Sequence, residues 1–288
     1  MTTSPLILLI DNGSLRPDAT MGLRRLAKLL TERSGRKIEP VSLLHSSKVP
    51  AADLGGVRAQ IVKPSLRRFI DAGAREIVCL PLFLGPSRGI TEYLATLIDG
   101  AKADAPDVKV LIADTLAGAD VDDPDVRLAE MLAAHVRQTI GAEGFSNPQV
   151  ALVDHGTPAE PVNRLRNAVA RQLAVCLGAE VATVVASSME RRAGAEYDFN
   201  EPLLENLDQL EGFTAGELIV SLFFLLPGRH AGAAGDVAEI CNALVERAAF
   251  SRIEMTPLIG EHPVLLDILE DRLQSALARL EAGAVGGA

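Results

Sequence analysis

Gln149-Val-Ala-Leu-Val-Asp-His155-Gly-Thr-Pro158 is a short apolar, β-branched run that stops abruptly in a histidine, a turn glycine and a threonine. A run without polar alternation predicts a strand buried on both faces, as in parallel sheets. The Gly-Thr-Pro that follows predicts a turn into a helix. His155 is therefore expected at the carboxyl end of a strand, the edge of an open α/β sheet where ligands bind. A lone histidine there is more often a hydrogen-bonded structural residue than a ligand. A second copy of the stretch changes that reading.

Near the amino end, Pro5-Leu-Ile-Leu-Leu-Ile-Asp-Asn12-Gly-Ser14 repeats the apolar run, the aspartate, a polar residue, the glycine and a hydroxyl. Ile77-Val-Cys-Leu-Pro-Leu-Phe-Leu-Gly-Pro86-Ser-Arg88-Gly89 matches Leu218-Ile-Val-Ser-Leu-Phe-Phe-Leu-Leu-Pro227-Gly-Arg229-His230, and Lys63-Pro64 matches Glu201-Pro202. The offsets are 143 residues from Asn12 to His155, 138 from Lys63 to Glu201 and 141 from Gly89 to His230. Three blocks in one order at nearly one offset predict a duplicated domain. The halves are expected to span 1–144 and 148–288, joined by the loop-forming Gly141-Ala-Glu-Gly144-Phe-Ser-Asn-Pro148. The first keeps the framework with Asn12, Lys63 and Gly89, where the second has His155, Glu201 and His230.

Length and composition agree. At 288 residues the chain suits two ordinary domains, each large enough to bury a core. Cys79, Cys176 and Cys241 lie far apart with no CxxC spacing, which predicts a reduced, cytoplasmic protein without a disulfide framework. A net charge of −10, two tyrosines and no tryptophan argue against nucleic acid. No apolar run approaches the roughly 20 residues of a membrane span, so no membrane association is expected.

Along the chain, strand and helix patterns alternate. Strands are expected at 6–10, 39–44, 76–84 and 108–113, with helices at 18–34, 57–72, 90–103 and 123–140. The second half repeats the order, with strands at 149–154, 180–186, 217–226 and 252–257 and helices at 158–177, 201–211, 236–249 and up to 282. This predicts an α/β protein of two tandem Rossmann-like domains with mainly parallel sheets. Ser187 to Asn200 is the least regular stretch and falls on the same edge as His155. The glycine-rich loop after His230 lacks the spacing and the lysine of a phosphate-binding loop. His262, at the expected start of the last helix, reads as a cap or structural residue.

His155 and His230 both follow strands, and Glu201 starts the expected helix 201–211, so three loops could converge. Two imidazoles and a carboxylate suit Co²⁺, Ni²⁺, Fe²⁺ or Zn²⁺ and leave coordination positions open. A hydrolytic zinc enzyme would need a further base or clamp that is not evident. A serine hydrolase lacks its G-x-S-x-G.

At these residues the sequence resembles the ATP-independent class II tetrapyrrole chelatases, the sirohydrochlorin cobalt and iron chelatases of the CbiX/SirB type. The resemblance is carried by the strand-His155-Gly-Thr block, Phe199-Asn-Glu201-Pro-Leu-Leu-Glu, Pro227-Gly-Arg-His230 and Pro257-Leu-Ile-Gly-Glu-His262-Pro, and it covers nearly the whole chain. It implies two chelatase-like domains facing each other across a cleft, with His155, His230 and Glu201 as metal-binding and catalytic residues. The sequence departs from the family at Asn12, Lys63 and Gly89, which makes the first half a scaffold. It also carries Asp154 where the family usually has glycine, and a longer Gly-Ala loop after His230.

The reading implied is insertion of a divalent metal, Co²⁺ first and Fe²⁺ or Ni²⁺ as alternatives, into sirohydrochlorin, without ATP or a redox cofactor. The metal is a substrate. An ordinary imidazole, titrating near about 6.5, can accept pyrrolic protons. Thr157, Arg229 and Arg191, with Arg192 nearby, are the expected contacts for the carboxylate-rich macrocycle. The alternative is a non-catalytic metal or tetrapyrrole carrier. Because both halves lie in one chain, either a monomer or a homodimer is compatible with the sequence.

Overall fold

The computed structural model describes residues 4–213, 216–232 and 235–285. From the amino end the elements are β1 (Leu6–Asp11), α1 (Pro17–Ser34), β2 (Ile38–Ser42), α2 (Val62–Asp71), β3 (Glu76–Pro81), α3 (Ala95–Asp104) and β4 (Lys109–Ile112). They continue with α4 (Arg127–Glu143), β5 (Gln149–Asp154), α5 (Glu160–Leu177), β6 (Thr183–Ser188), β7 (Glu217–Leu222), α6 (Asp236–Glu246), β8 (Arg252–Met255) and α7 (Val264–Val285). Two four-stranded sheets form, in the orders β2-β1-β3-β4 and β6-β5-β7-β8, and every pairing is parallel. In each, the strand order reverses between the first and third strands, β1 and β3 or β5 and β7. Ligands of doubly wound sheets bind outside the carboxyl ends of such a pair.

The uninterrupted apolar runs are the reason these strands are central. Leu8, Leu9 and Ile10 of β1, and Val150, Leu152 and Val153 of β5, have no exposed surface. Each such side chain contributes roughly 1.5–3 kcal/mol relative to exposure, so both sheet faces must be covered. In the first sheet Leu8, Ile10, Ile77 and Cys79 pack with Leu66 and Ile70 of α2 and Ile98 of α3. In the second, Ala151, Val153, Leu218 and Val220 pack with Leu204, Leu207, Val237 and Leu244.

The compact units do not follow the repeat limits 1–144 and 148–288. One unit comprises residues 1–119 with 263–288, and the other residues 120–262. The helix expected to close the first half, α4, packs against α5 and β7, whereas α7 packs against α1, β3 and β4. Each sheet is thus covered by a helix belonging to the other sequence repeat. The apolar face of either helix fits a sheet of this pattern, and connectivity alone does not say which.

Two expected helices differ. Residues 57–72 hold only α2 after a 3₁₀ turn at Ala51–Leu54, and residues 201–211 hold a 3₁₀ segment, Leu204–Gln209. Leu204, Leu207 and Leu210 recur every three residues, the period of a 3₁₀ helix, with Asn206 and Asp208 between them as poor α-helix formers. By contrast α1 and α5 are both 18 residues long and start at Pro17 and Glu160, keeping the 143-residue offset of Asn12 and His155. Leu23 and Arg166 therefore occupy the same helical position. All three cysteines are free, and no described helix is long and apolar enough to cross a membrane.

Candidate metal centre

The turn after β5 is fixed by a close backbone approach. Gly156 has φ +92°, and a Cβ there would lie 1.8 Å from the Glu190 carbonyl oxygen, so only glycine fits. Gly13 repeats this at φ +85° against the Leu44 carbonyl. Beneath the turn Asp154 is buried, and its Oδ1 accepts hydrogen bonds from the Gly156 N–H at 3.1 Å and the Ser188 hydroxyl at 2.8 Å. The fully buried Arg166 reaches the same oxygen through Nη1 at 3.4 Å and also donates to Ser188 Oγ. Burial pushes the Asp154 carboxyl above its usual range, opposed by Arg166, and pushes the Arg166 guanidinium below its own, opposed by Asp154.

His155 leaves this turn into solvent. Its Nδ1 is 3.1 Å from the Gly156 carbonyl oxygen and its Nε2 3.2 Å from Glu190 Oε1. His230 follows β7, at a loop folded back so that the Val237 N–H donates to the His230 carbonyl. Its Nδ1 lies 2.7 Å from Oδ2 of Asp236, the first residue of α6. An ionised carboxylate only accepts, so Nδ1 carries the proton and Nε2 keeps its lone pair. The two rings meet, with centroids 4.4 Å apart and planes inclined at 58°.

Glu201 stands differently. It follows the 3₁₀ turn Ala195–Asn200, and its carboxylate accepts from Arg191 Nε at 2.7 Å and from the Leu203 N–H at 3.0 Å. Among the described residues no three His, Cys, Asp or Glu side chains are grouped closely enough to hold one metal ion. The structure brings the two histidines together and leaves Glu201 in an ion pair with Arg191. Arg191 also reaches Asp198 at 3.1 Å and the Gly194 carbonyl at 3.2 Å, bracing its own loop. Arg192 lies over the Tyr197 ring, and Arg229 is largely exposed, 3.5 Å from Asp236. The Thr157 hydroxyl accepts from the Ala159 N–H at 3.0 Å, steadying the entry to α5.

The CbiX family model matches residues 6–139 and again residues 149–276. The chain belongs to the CbiX family. Two structures of SirB share its fold, each with a TM-score of 0.68 and an alignment covering 97% of this chain and 98% of theirs. One is SirB from Bacillus subtilis with Fe³⁺, 16% identical, and the other is the sirohydrochlorin chelatase SirB from Bacillus subtilis subspecies spizizenii in complex with cobalt, 13% identical. A multi-domain protein from Deinococcus radiodurans, described as structurally similar to chelatases, aligns at 16% identity with a TM-score of 0.56, covering 94% of this chain and 54% of that one. No curated protein sequence matches the chain.

In this CbiX family member the first unit builds the same framework with other residues at the positions of His155, Glu201 and His230. Asn12 and Lys63 are exposed, and Asp11, the counterpart of Asp154, is buried with Ser42 beside it but Leu23 in place of the arginine. Burial pushes Asp11 up to about 6, and its Oδ1 has no hydrogen-bond partner among the described residues. Sequence reasoning missed Asp236, Glu190, Asn200 and Arg166. Asn200 is wholly buried, accepting from the Thr157 N–H at 3.0 Å and donating to the Thr157 and Tyr197 carbonyls. It locks the His155 turn to the loop that carries Glu201. His262 is a structural residue, its ring edge-on to that of His135 with centroids 5.3 Å apart.

Proposed function

We propose that the protein inserts a divalent metal into sirohydrochlorin without ATP, with Co²⁺ the first candidate and Fe²⁺ or Ni²⁺ next. The observation that carries this reading is the contact between the His155 and His230 rings at the carboxyl edge of β5 and β7, at 4.4 Å. Family membership and the SirB folds with iron and cobalt support it. We assign the metal to His155 and His230, joined by Glu201 once it exchanges Arg191 for the ion. His230 enters with its lone pair on Nε2, set by Asp236. His155 must release Glu190 from Nε2 before coordinating through that atom.

Insertion breaks two pyrrolic N–H bonds, forms metal–nitrogen bonds and releases two protons. The imidazoles, as they give up the metal, and the carboxylates of Glu190 and Glu201 beside them are the groups able to take those protons to solvent. No electrons are transferred, so no redox partner is required. Arg229 and Arg192 offer cations to the macrocycle carboxylates, and Arg191 becomes available once Glu201 turns to the metal.

The test mixes purified protein with sirohydrochlorin and Co²⁺, Ni²⁺ or Fe²⁺ under anaerobic conditions and follows the macrocycle absorbance against a protein-free blank. The parent should accelerate insertion, and His155→Ala and His230→Ala should each abolish the acceleration. Variants that insert metal at the parent rate would refute the assignment. A carrier is the second reading, favoured by the pairing of Glu201 with Arg191, which leaves two imidazoles as a loose site. Co²⁺ binding without turnover would establish it.

A further inference from the structure

We propose that Arg166, acting through Asp154, is a positioning residue that holds the His155 imidazole in register with His230. The inference rests on His155 being a metal ligand. Its geometry is buried and closed. Asp154 Oδ1 gathers three donors, the Gly156 N–H, the Ser188 hydroxyl and Arg166 Nη1. The bond to Gly156 spans His155, so the carboxylate ties down the backbone on both sides of the ligand in an Asx-turn. Ser188 stands opposite Asp154 on the neighbouring strand β6, and Arg166 reaches both from α5. Nε and Nη2 of the same guanidinium donate to Asn167 Oδ1 at 3.1 and 3.0 Å, which fixes the arginine in turn.

The first unit is an internal control. It builds the same strand, the same glycine turn pressed against a carbonyl, and the same aspartate beside a strand serine, Asp11 against Ser42. It does so with Leu23 at the position of Arg166 and with Asn12 at the position of His155. The fold and the turn therefore need no buried arginine. Buried ion pairs are weak contributors to stability, and well-packed apolar replacements often do as well or better. Among the described residues a buried arginine, at 1% exposure, occurs at this helical position only in the repeat that carries His155 and His230, and it is accounted for by what the turn must do with His155. Removing a group that does not touch the metal but fixes one of its ligands typically changes metal affinity by about 10- to 100-fold.

The experiment compares Arg166→Met, Arg166→Lys and the double variant Asp154→Leu/Arg166→Met with the parent. Each is titrated with Co²⁺ alone, following the d–d bands, and its thermal unfolding is recorded. Arg166→Met should weaken Co²⁺ binding by about tenfold or more and shift the bands, with partial rescue in Arg166→Lys. The double variant removes the charge that a single substitution would strand, so it should unfold near the parent temperature while still binding Co²⁺ about tenfold more weakly. Asp11→Asn in the first unit should leave Co²⁺ binding unchanged. Parent-like affinity and bands in the double variant would overturn the proposal and leave the pair a folding element. Should Arg166→Met fail to fold, the lysine and double variants decide. A failure of the underlying reading looks different: His155→Ala would then bind Co²⁺ as the parent does.

Discussion

His230 Nδ1 donates to Asp236 Oδ2 across 2.7 Å, which in the neutral imidazole leaves Nε2 as the nitrogen with a free lone pair. Carboxylate–imidazole pairs of this kind orient metal ligands and raise their basicity. Asp236→Ala should therefore weaken Co²⁺ binding by about 10- to 100-fold, measured by titrating the d–d absorption. Unchanged affinity would mean that the pair only shapes the loop ahead of α6.

Under the proposed assignment a metal ion would compete with Arg191 for Glu201 Oε1, which now accepts from Arg191 Nε at 2.7 Å. Glu201→Gln should lower Co²⁺ affinity, whereas Arg191→Gln should raise it a few-fold and at the same time raise the KM for sirohydrochlorin. Equilibrium dialysis with Co²⁺ and steady-state insertion kinetics separate the two effects. If neither substitution alters metal affinity, Glu201 is not a ligand.

In the first unit Asn12 is exposed, and a methyl group at Gly89 would meet only side-chain atoms, the nearest being Leu43 Cδ1 at 3.2 Å, which must shift by a few tenths of an ångström to admit it. Asn12→Ala and Gly89→Ala should keep insertion rates within a few-fold of the parent. A large loss for Asn12→Ala would show that the first unit contributes to the chemistry.

Asp11 gives a pH dependence of known sign. Its carboxyl rises from 3.8 to about 6 in the fold because burial penalises its charge, against weaker support from Ser42 and the Gly13 N–H. The folded state therefore binds the proton more tightly than the unfolded chain. That contribution is complete below about pH 4 and is lost as pH rises through about 6. Asp11→Asn should gain roughly 2 kcal/mol on the parent between pH 4 and pH 7, the larger part of the about 3 kcal/mol that the whole rise represents at 1.36 kcal/mol per pKa unit. Urea unfolding at the two pH values measures the gap; a constant difference would show that Asp11 is not desolvated.

The repeat and the parallel sheets were legible because β1 and β5 are apolar at successive positions and end in the same Asp-x-Gly turn, which only a buried strand and a close carbonyl approach explain. The two histidines were legible because they replace Asn12 and Gly89 in that repeat. Glu190 and Asp236 were not, since an acidic residue in an irregular loop or at a helix start reads as solvated until its distance to an imidazole is known. Arg166 was also missed, because an arginine in a helix is ordinarily a surface residue. Its alignment with Leu23 held the signal. The 3₁₀ segment could have been read from Leu204, Leu207 and Leu210. The packing of α4 and α7 could not, because both helices are amphipathic in the same way and their choice of sheet is made in tertiary contacts.

That choice has a consequence for biosynthesis. The first sheet, β1 to β4, meets α1, α2 and α3 of its own repeat early but gains α7 only once residues 264–285 have been made, while the second sheet finds α4 already synthesised as its strands emerge. Of the two sheets, the one laid down first is thus the one whose packing is completed last.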